Sequence, residues 1–235
     1  MTHPAIGQVP PPQGVLFDAG GTLVQLDVAR LTAALEDAGH VPSCVDTAFW
    51  RTLVLLDSDF SPGAGAFEHW WLAWQERFAS QCAVPAEAFR EIYDALDAEA
   101  LLWRQAVPDA AAALDRLRAA GIPLGVVSNA DGRIAAALAD AGLAEHFDVI
   151  VDSTLVGVHK PDPAIFDHAL RPMGLERAST WYLGDTVTYD AVAADAAGLT
   201  SWVIDHRGLH SLDHPRRVRS LDEFADVVLT ARGTA

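Results

Sequence analysis

Gly14-Val15-Leu16-Phe17-Asp18-Ala19-Gly20-Gly21-Thr22-Leu23 joins an apolar run to an acid and a tight turn. Val15 to Phe17 reads as a short buried strand, and it ends on the carboxylate of Asp18. Two glycines and a threonine follow at once, so the backbone turns sharply where the acid emerges. An ionised Asp at the end of a buried strand is costly unless a positive group meets it. In an open parallel sheet the C-terminal ends of the strands are also where ligands bind. Taken alone, the stretch fits an Asp-Gly turn between two elements equally well, and the remaining chain has to discriminate.

Residues 1–13, with Pro10-Pro11-Pro12, read as an extended, mobile leader. Between Val28 and Trp103 the patterns are helical, with no convincing strand: Ala29 to Ala38, Asp46 to Leu56, Phe67 to Ala79 and Ala86 to Trp103. Trp50, Trp70, Trp71, Trp74 and Trp103 all fall here, which points to an all-helical insert over 28–107 with its own core. Of Trp70, Trp71 and Trp74, one or two are expected in that core and one at the crevice. From Val107-Pro108 onward helices and strands alternate. Strands are expected at Ile122 to Val127, Phe147 to Val151, Thr180 to Leu183 and Ser201 to Ile204. Helices are expected at Asp109 to Ala120, Asp131 to Ala141, Ala164 to Met173, Asp190 to Ala197 and Leu221 to Leu229. The fold class is therefore α/β: a doubly wound parallel sheet built from 14–27 and 108–235, carrying the helical insert as a second domain.

Three expected strands end in polar residues: Asp18, then Ser128 with Asn129, then Asp185. A parallel sheet would collect these along one edge, with Lys160 from a Gly-x-x-Lys-Pro loop and Asp190 from the start of the next helix. Several carboxylates in one crevice repel one another and need a cation. Oxygen ligands with positions left for water and phosphate suit Mg²⁺. Lys160 is the only lysine in the chain, so a compact ammonium is wanted at this position where arginine serves elsewhere. Lys160 and the Ser128 hydroxyl would then hold an anionic group beside the metal.

The order and spacing of these segments resemble the haloacid dehalogenase (HAD) superfamily of phosphotransferases. The four motifs are Asp18-Ala19-Gly20-Gly21-Thr22-Leu23, Val126-Val127-Ser128-Asn129, Lys160-Pro161-Asp162-Pro163-Ala164-Ile165-Phe166, and Leu183-Gly184-Asp185 continuing to Asp190. The helical insert resembles the C1-type cap of subfamily I, with hinges at Asp27 and Pro108. The resemblance implies that Asp18 is a nucleophile forming an aspartyl phosphate. It implies a Mg²⁺ ion on Asp18, the main-chain carbonyl of Gly20 and Asp185, with Asp190 in support. It also implies that Ser128, Asn129, Lys160 and Thr22 bind the phosphoryl group of a small phosphorylated substrate.

The pattern breaks at Gly20, where phosphatases of the family carry a second Asp that protonates the leaving oxygen. Such general acid–base help is worth roughly 10²–10⁴-fold in rate. Three readings follow. The first is a phosphatase that is slow, takes good leaving groups, or borrows an acid from the insert, where Asp59, Glu68 and His69 are the candidates. The second is different chemistry. Carbon–phosphorus cleavage needs an insert lysine that this chain lacks, and 2-haloacid dehalogenases do not need the metal-type motif that Asp185 and Asp190 retain. The third is a non-catalytic protein binding a phosphorylated ligand or a partner. The loop Ser61-Pro62-Gly63-Ala64-Gly65 is expected to gate the site, and Arg51, Arg77, Arg90 and Arg104 are among the insert's cations, of which one could grip a substrate carboxylate while surface solvation is the expectation for each.

A net charge of −16 argues against a broad nucleic-acid or anionic-membrane surface. With half the residues apolar, a substantial core is expected. The N-terminus lacks an export-signal pattern and the two cysteines are expected reduced, so a cytoplasmic monomer or homodimer is the expectation.

Overall fold

A computed structural model of the chain describes residues 9–59, 67–100 and 102–233, apart from the side chains of 56, 58, 59 and 67–70. The proposed gating loop 61–65, the side chains of Asp59, Glu68 and His69, and that of Trp70 lie outside the described residues.

Strand β1 (Gly14–Phe17) leads through a tight turn to β2 (Val24–Leu26). Four helices follow: α1 (Val28–Asp37), α2 (Val45–Asp59), α3 (Phe67–Gln81) and α4 (Ala86–Ala98). The chain returns through β3 (Trp103–Ala106) and α5 (Ala110–Ala119) to β4 (Leu124–Ser128), α6 (Ile134–Asp140), β5 (Val149–Asp152) and the single turn α7 (Ser153–Val156). It ends with α8 (Asp167–Met173), β6 (Thr180–Gly184), α9 (Val192–Ala196), β7 (Thr200–Ile204), β8 (Arg217–Val218) and α10 (Leu221–Ala231).

Six strands form one parallel sheet in the order β5-β4-β1-β6-β7-β8. Alternate side chains of β1 go to opposite faces, as the two-residue period of a strand demands. Val15 and Phe17 pack with α5, α6 and α10, whereas Leu16 packs with α8 and α9. Both faces are covered, which is why these strands read as continuous apolar runs. Between β5-β4-β1 and β6-β7 the chain reverses its direction of growth across the sheet. β1 and its neighbours β4 and β6 therefore bring their C-terminal ends to the crevice of a doubly wound fold.

The helices of the insert share a separate aromatic core. Phe49, Trp74, Phe78, Phe89 and Tyr93 are fully buried there, and Trp71 stacks on Trp74 with ring centroids 4.9 Å apart. Each such ring contributes about 1.5–3 kcal/mol through burial. Arg90 and Arg104 pair with Glu76 and Asp140, each at 3.3 Å. No helix among the described residues is long and apolar enough to cross a membrane.

The structure corrects the sequence reading in four places. The helix expected to run to Trp103 stops at Ala98, and Trp103 belongs to β3. β3 pairs antiparallel with β2, so the insert is joined to the sheet by a two-stranded ribbon. Neither strand showed in the sequence because three or four residues are too few to display a period. The helix expected from Asp190 begins as a wide π-helical turn, Val187–Ala191, before α9. The leader is anchored over residues 10–13: Trp181 Nε1 donates to the Pro10 carbonyl at 3.0 Å and the Gln13 N–H to Ser179 at 2.7 Å.

Candidate active site

β1 delivers Asp18 at the sheet edge, and the Asp18 N–H donates to the Leu183 carbonyl of β6 at 2.8 Å. The chain then folds on itself: the N–H groups of Thr22, Leu23 and Val24 all donate to the Ala19 carbonyl. Gly21 sits at φ +78°, and a Cβ there would stand 2.2 Å from Asp185 Oδ2. Only glycine meets both demands. A Cβ at Gly184 would fall 2.3 Å from Cγ of Asp190, so that glycine lets Asp190 press against the end of β6.

Asp18, Asp185 and Asp190 each place a carboxylate oxygen within 4.8 Å of the others. Lys160 enters this group from its loop. Its Nζ donates to Asp18 Oδ1 at 2.6 Å, to Asp190 Oδ1 at 2.6 Å and to Tyr182 Oη at 2.8 Å, all of them buried. Burial disfavours the charged ammonium, but Asp18 and Asp190 overcome it and hold the Lys160 pKa above its ordinary value. The same burial pushes Asp18 up to about 6, against the pull of Lys160 and with Asp190 adding to the rise. The Ser128 side chain also favours the charged form of Asp18, working against the rise. Asp190 is held below the usual carboxylate range: burial opposes, but Lys160, Thr186 and Tyr182 prevail. Both of its oxygens are engaged, Oδ1 by Lys160 and Tyr182, Oδ2 by the Thr186 N–H at 3.0 Å and hydroxyl at 2.5 Å.

Asp185 is different. Among the described residues no hydrogen bond reaches its carboxylate, and burial, then Asp190 and Asp18, push its pKa well above the usual range. It borders a cavity of about 10 Å³ between insert and sheet, also lined by Trp50, Leu53 and His206. A carboxylate so placed, beside another on Asp18, is a donor set that fits a hard divalent cation. The residues present therefore suit Mg²⁺.

Two candidates sit differently from a simple ligand shell. The Asn129 side chain is committed to the Lys160 backbone: Nδ2 donates to its carbonyl at 2.9 Å and Oδ1 accepts from its N–H at 2.8 Å. Thr22 is fully buried with its hydroxyl unpartnered among the described residues. Gly20 lies beneath Trp103, whose ring would stand 3.4 Å from an added Cβ. Trp103 thus brings an aromatic ring of the insert over the loop that follows Asp18, with its Nε1 donating to Tyr93 Oη at 2.7 Å.

Tyr182 and Asp57 were not singled out from the sequence. Tyr182 stands between Trp181 and Leu183 in an apolar strand, so its ring reads as core and its hydroxyl goes unnoticed. Asp57 of α2 is 1% exposed and accepts from the Val187 N–H at 2.7 Å. It shares a helix face with Trp50 and Leu53, a spacing that would have marked it as a buried acid.

A family model for haloacid dehalogenase-like hydrolases matches residues 12–198. The chain is similar to the bovine (Bos taurus) haloacid dehalogenase-like hydrolase domain-containing protein 3, 35% identical over 150 residues. That match covers 62% of this chain and 60% of the bovine protein. A phosphoglycolate phosphatase of Yersinia pseudotuberculosis is 30% identical over 196 residues, covering 79% of this chain and 78% of that protein. Among solved structures, the L-2-haloacid dehalogenase of Xanthobacter autotrophicus superposes with a TM-score of 0.64 at 22% identity, over 95% of this chain and all of that one. At that identity the superposition speaks for the fold alone. With a family match across most of its length, the chain belongs to the haloacid dehalogenase-like hydrolases.

Proposed function

We propose that the protein is a Mg²⁺-dependent phosphatase of a small phosphorylated molecule, with Asp18 as its nucleophile. The observation that carries this reading is the buried contact of Asp18 with Lys160, beside an Asp185 carboxylate that no donor among the described residues satisfies. The similarity to a phosphoglycolate phosphatase points the same way. The division into a sheet domain and a C1-type cap belongs to the same proposal, supported by the insert's separate aromatic core.

In this mechanism Asp18, Asp185 and the Gly20 carbonyl would hold Mg²⁺, which neutralises charge on the phosphoryl oxygens when bound. Asp190, its oxygens already filled, holds Lys160 in place and supports the site from behind. Lys160 stays protonated and stabilises negative charge as it spreads over the transferring group. Ser128 and Thr22 orient that group, while Asn129 keeps the lysine loop against the end of β4. A carboxylate oxygen of Asp18 bonds to phosphorus as the bond to the leaving oxygen breaks. Water then attacks the aspartyl phosphate, releasing inorganic phosphate and restoring Asp18. Gly20 offers the leaving oxygen no proton, so the site favours leaving groups that depart as stable anions.

The test is phosphate release, with and without Mg²⁺, from substrates graded by leaving-group acidity, from acetyl phosphate to sugar and nucleoside monophosphates. Asp18→Asn serves as the blank and is expected to abolish release. Release that persists in the blank would refute the nucleophile. Metal-independent halide release from 2-haloacids, lost in the blank, would move Asp18 to carbon–halogen chemistry.

A further inference from the structure

Asp57 belongs to the insert, yet its carboxylate is spent on the sheet domain's acidic loop. It accepts from the backbone N–H groups of Val187 at 2.7 Å and Thr188 at 2.8 Å, and from the Thr188 hydroxyl. His210 Nδ1 lies 3.7 Å from its Oδ2. Val187 and Thr188 open the wide turn that separates Asp185 from Asp190. The first N–H groups of such a turn have no acceptor within it and must find one elsewhere. Thr186 N–H is met by Asp190, and the next two by Asp57. Three consecutive amides are thus held by carboxylates, one from each side of the crevice.

The turn has little slack. The Asp185 carboxylate occupies the space a Cβ on Gly21 would need, and Asp190 occupies that of a Cβ on Gly184. A shift of the turn would therefore move both acids against backbone. Burying an ionised carboxylate is costly unless it is hydrogen-bonded, paired or metal-bound, and the bonds to this turn are what offset that cost for Asp57. The other charged ties between insert and sheet domain among the described residues do not touch the turn; Arg104 pairs with Asp140 at 3.3 Å. Asp46 pairs with Arg207 at 3.1 Å on the surface, and Asp97 with Arg133 at 2.5 Å.

We propose that Asp57 is a positioning residue: by gripping the Val187 and Thr188 amides it sets Asp185 and Asp190 in place, so that the acidic site is complete only with the insert docked. The role of those acids in binding Mg²⁺ and phosphate rests on the phosphatase reading above; the grip itself does not. Asp57 also adds its negative charge to those felt by Asp185, so its field favours a cation there.

The experiment compares wild type with Asp57→Ala, Asp57→Asn, Thr188→Val and the control Asp46→Asn in the full chain. Amide hydrogen exchange over 186–191 is read without metal. Half-saturating Mg²⁺ is read by protection of the same amides, and kcat and KM by phosphate release. Asp57→Ala should speed exchange about tenfold or more, the loss expected for buried bonds to a charged acceptor. It should raise half-saturating Mg²⁺ several-fold and lower kcat more than it raises KM. Asp57→Asn, which keeps one acceptor, and Thr188→Val should lie between, and Asp46→Asn should match wild type. Exchange within twofold of wild type in Asp57→Ala, or an equal effect from Asp46→Asn, would overturn the proposal. Should Asp57→Ala not fold, Asp57→Asn and Thr188→Val decide by the same criteria. If wild type releases no phosphate, the phosphatase reading fails while exchange and Mg²⁺ protection still decide the role of Asp57.

Discussion

Replacing Lys160 by Met keeps most of the side-chain volume and removes the ammonium that Asp18 and Asp190 share. Its Nζ makes bonds of 2.6, 2.6 and 2.8 Å to Asp18, Asp190 and Tyr182 in a site almost closed to solvent. Removing one partner of a buried pair leaves uncompensated charge, at a cost of about 3–5 kcal/mol. For a chain of this size that corresponds to a fall in Tm on the order of 10 °C. The loss should depend on pH. Without the ammonium, burial and mutual repulsion raise both carboxyls above the range they have in the unfolded chain. A raised acid holds its proton in the native state while the unfolded chain has lost it. Its penalty is therefore largest above the folded pKa and fades as pH falls toward the unfolded value. Urea unfolding of Lys160→Met and wild type in Mg²⁺-free buffer at pH 8 and pH 5 should show the larger gap at pH 8. A gap under about 1 kcal/mol at pH 8 would mean the pair is not the buried, unsolvated contact described above. A gap of equal size at both pH values would refute the charge argument.

Gly20→Asp should be accepted by the backbone, since an added Cβ meets the Trp103 ring at an ordinary 3.4 Å. It should raise turnover on poor leaving groups by about 10²-fold; a kcat unchanged on sugar phosphates would show that Trp103 keeps the new carboxyl from the leaving oxygen. Gly21→Ala should instead be damaging, because its φ of +78° and the 2.2 Å approach to Asp185 both exclude a methyl group. Isothermal titration should show weakened Mg²⁺ binding, and wild-type affinity would contradict the packing. With Asp18 raised to about 6, kcat/KM at low Mg²⁺ should fall about tenfold per pH unit below that value as the nucleophile takes up its proton. No loss from Lys160 is expected up to pH 10, since its neighbours hold it protonated. A profile flat down to pH 4.5 would count against Asp18 as the attacking group.

Local pattern was enough to reveal the sheet. Val15 to Phe17, Leu124 to Ser128 and Thr180 to Gly184 are apolar runs that stop at polar residues, and a buried parallel strand leaves that trace without help from distant chain. Parallel pairing then obliges Asp18, Ser128 and Asp185 to share an edge, and the lone lysine marked the cation that joins them. The absent side chain at Gly20 was equally plain. What the sequence could not disclose depends on contacts between residues far apart in the chain. Tyr182 becomes part of the site only because β6 aims its hydroxyl at Lys160, and Asn129 turns to the Lys160 backbone rather than outward. Trp103, expected in a helix, reaches Gly20 only through the β2–β3 ribbon. Asp57 meets Val187 across 130 residues of chain. Periodicity records which face of an element is buried; only the packed structure decides which partner waits there, because a buried carboxylate survives wherever enough donors converge on it.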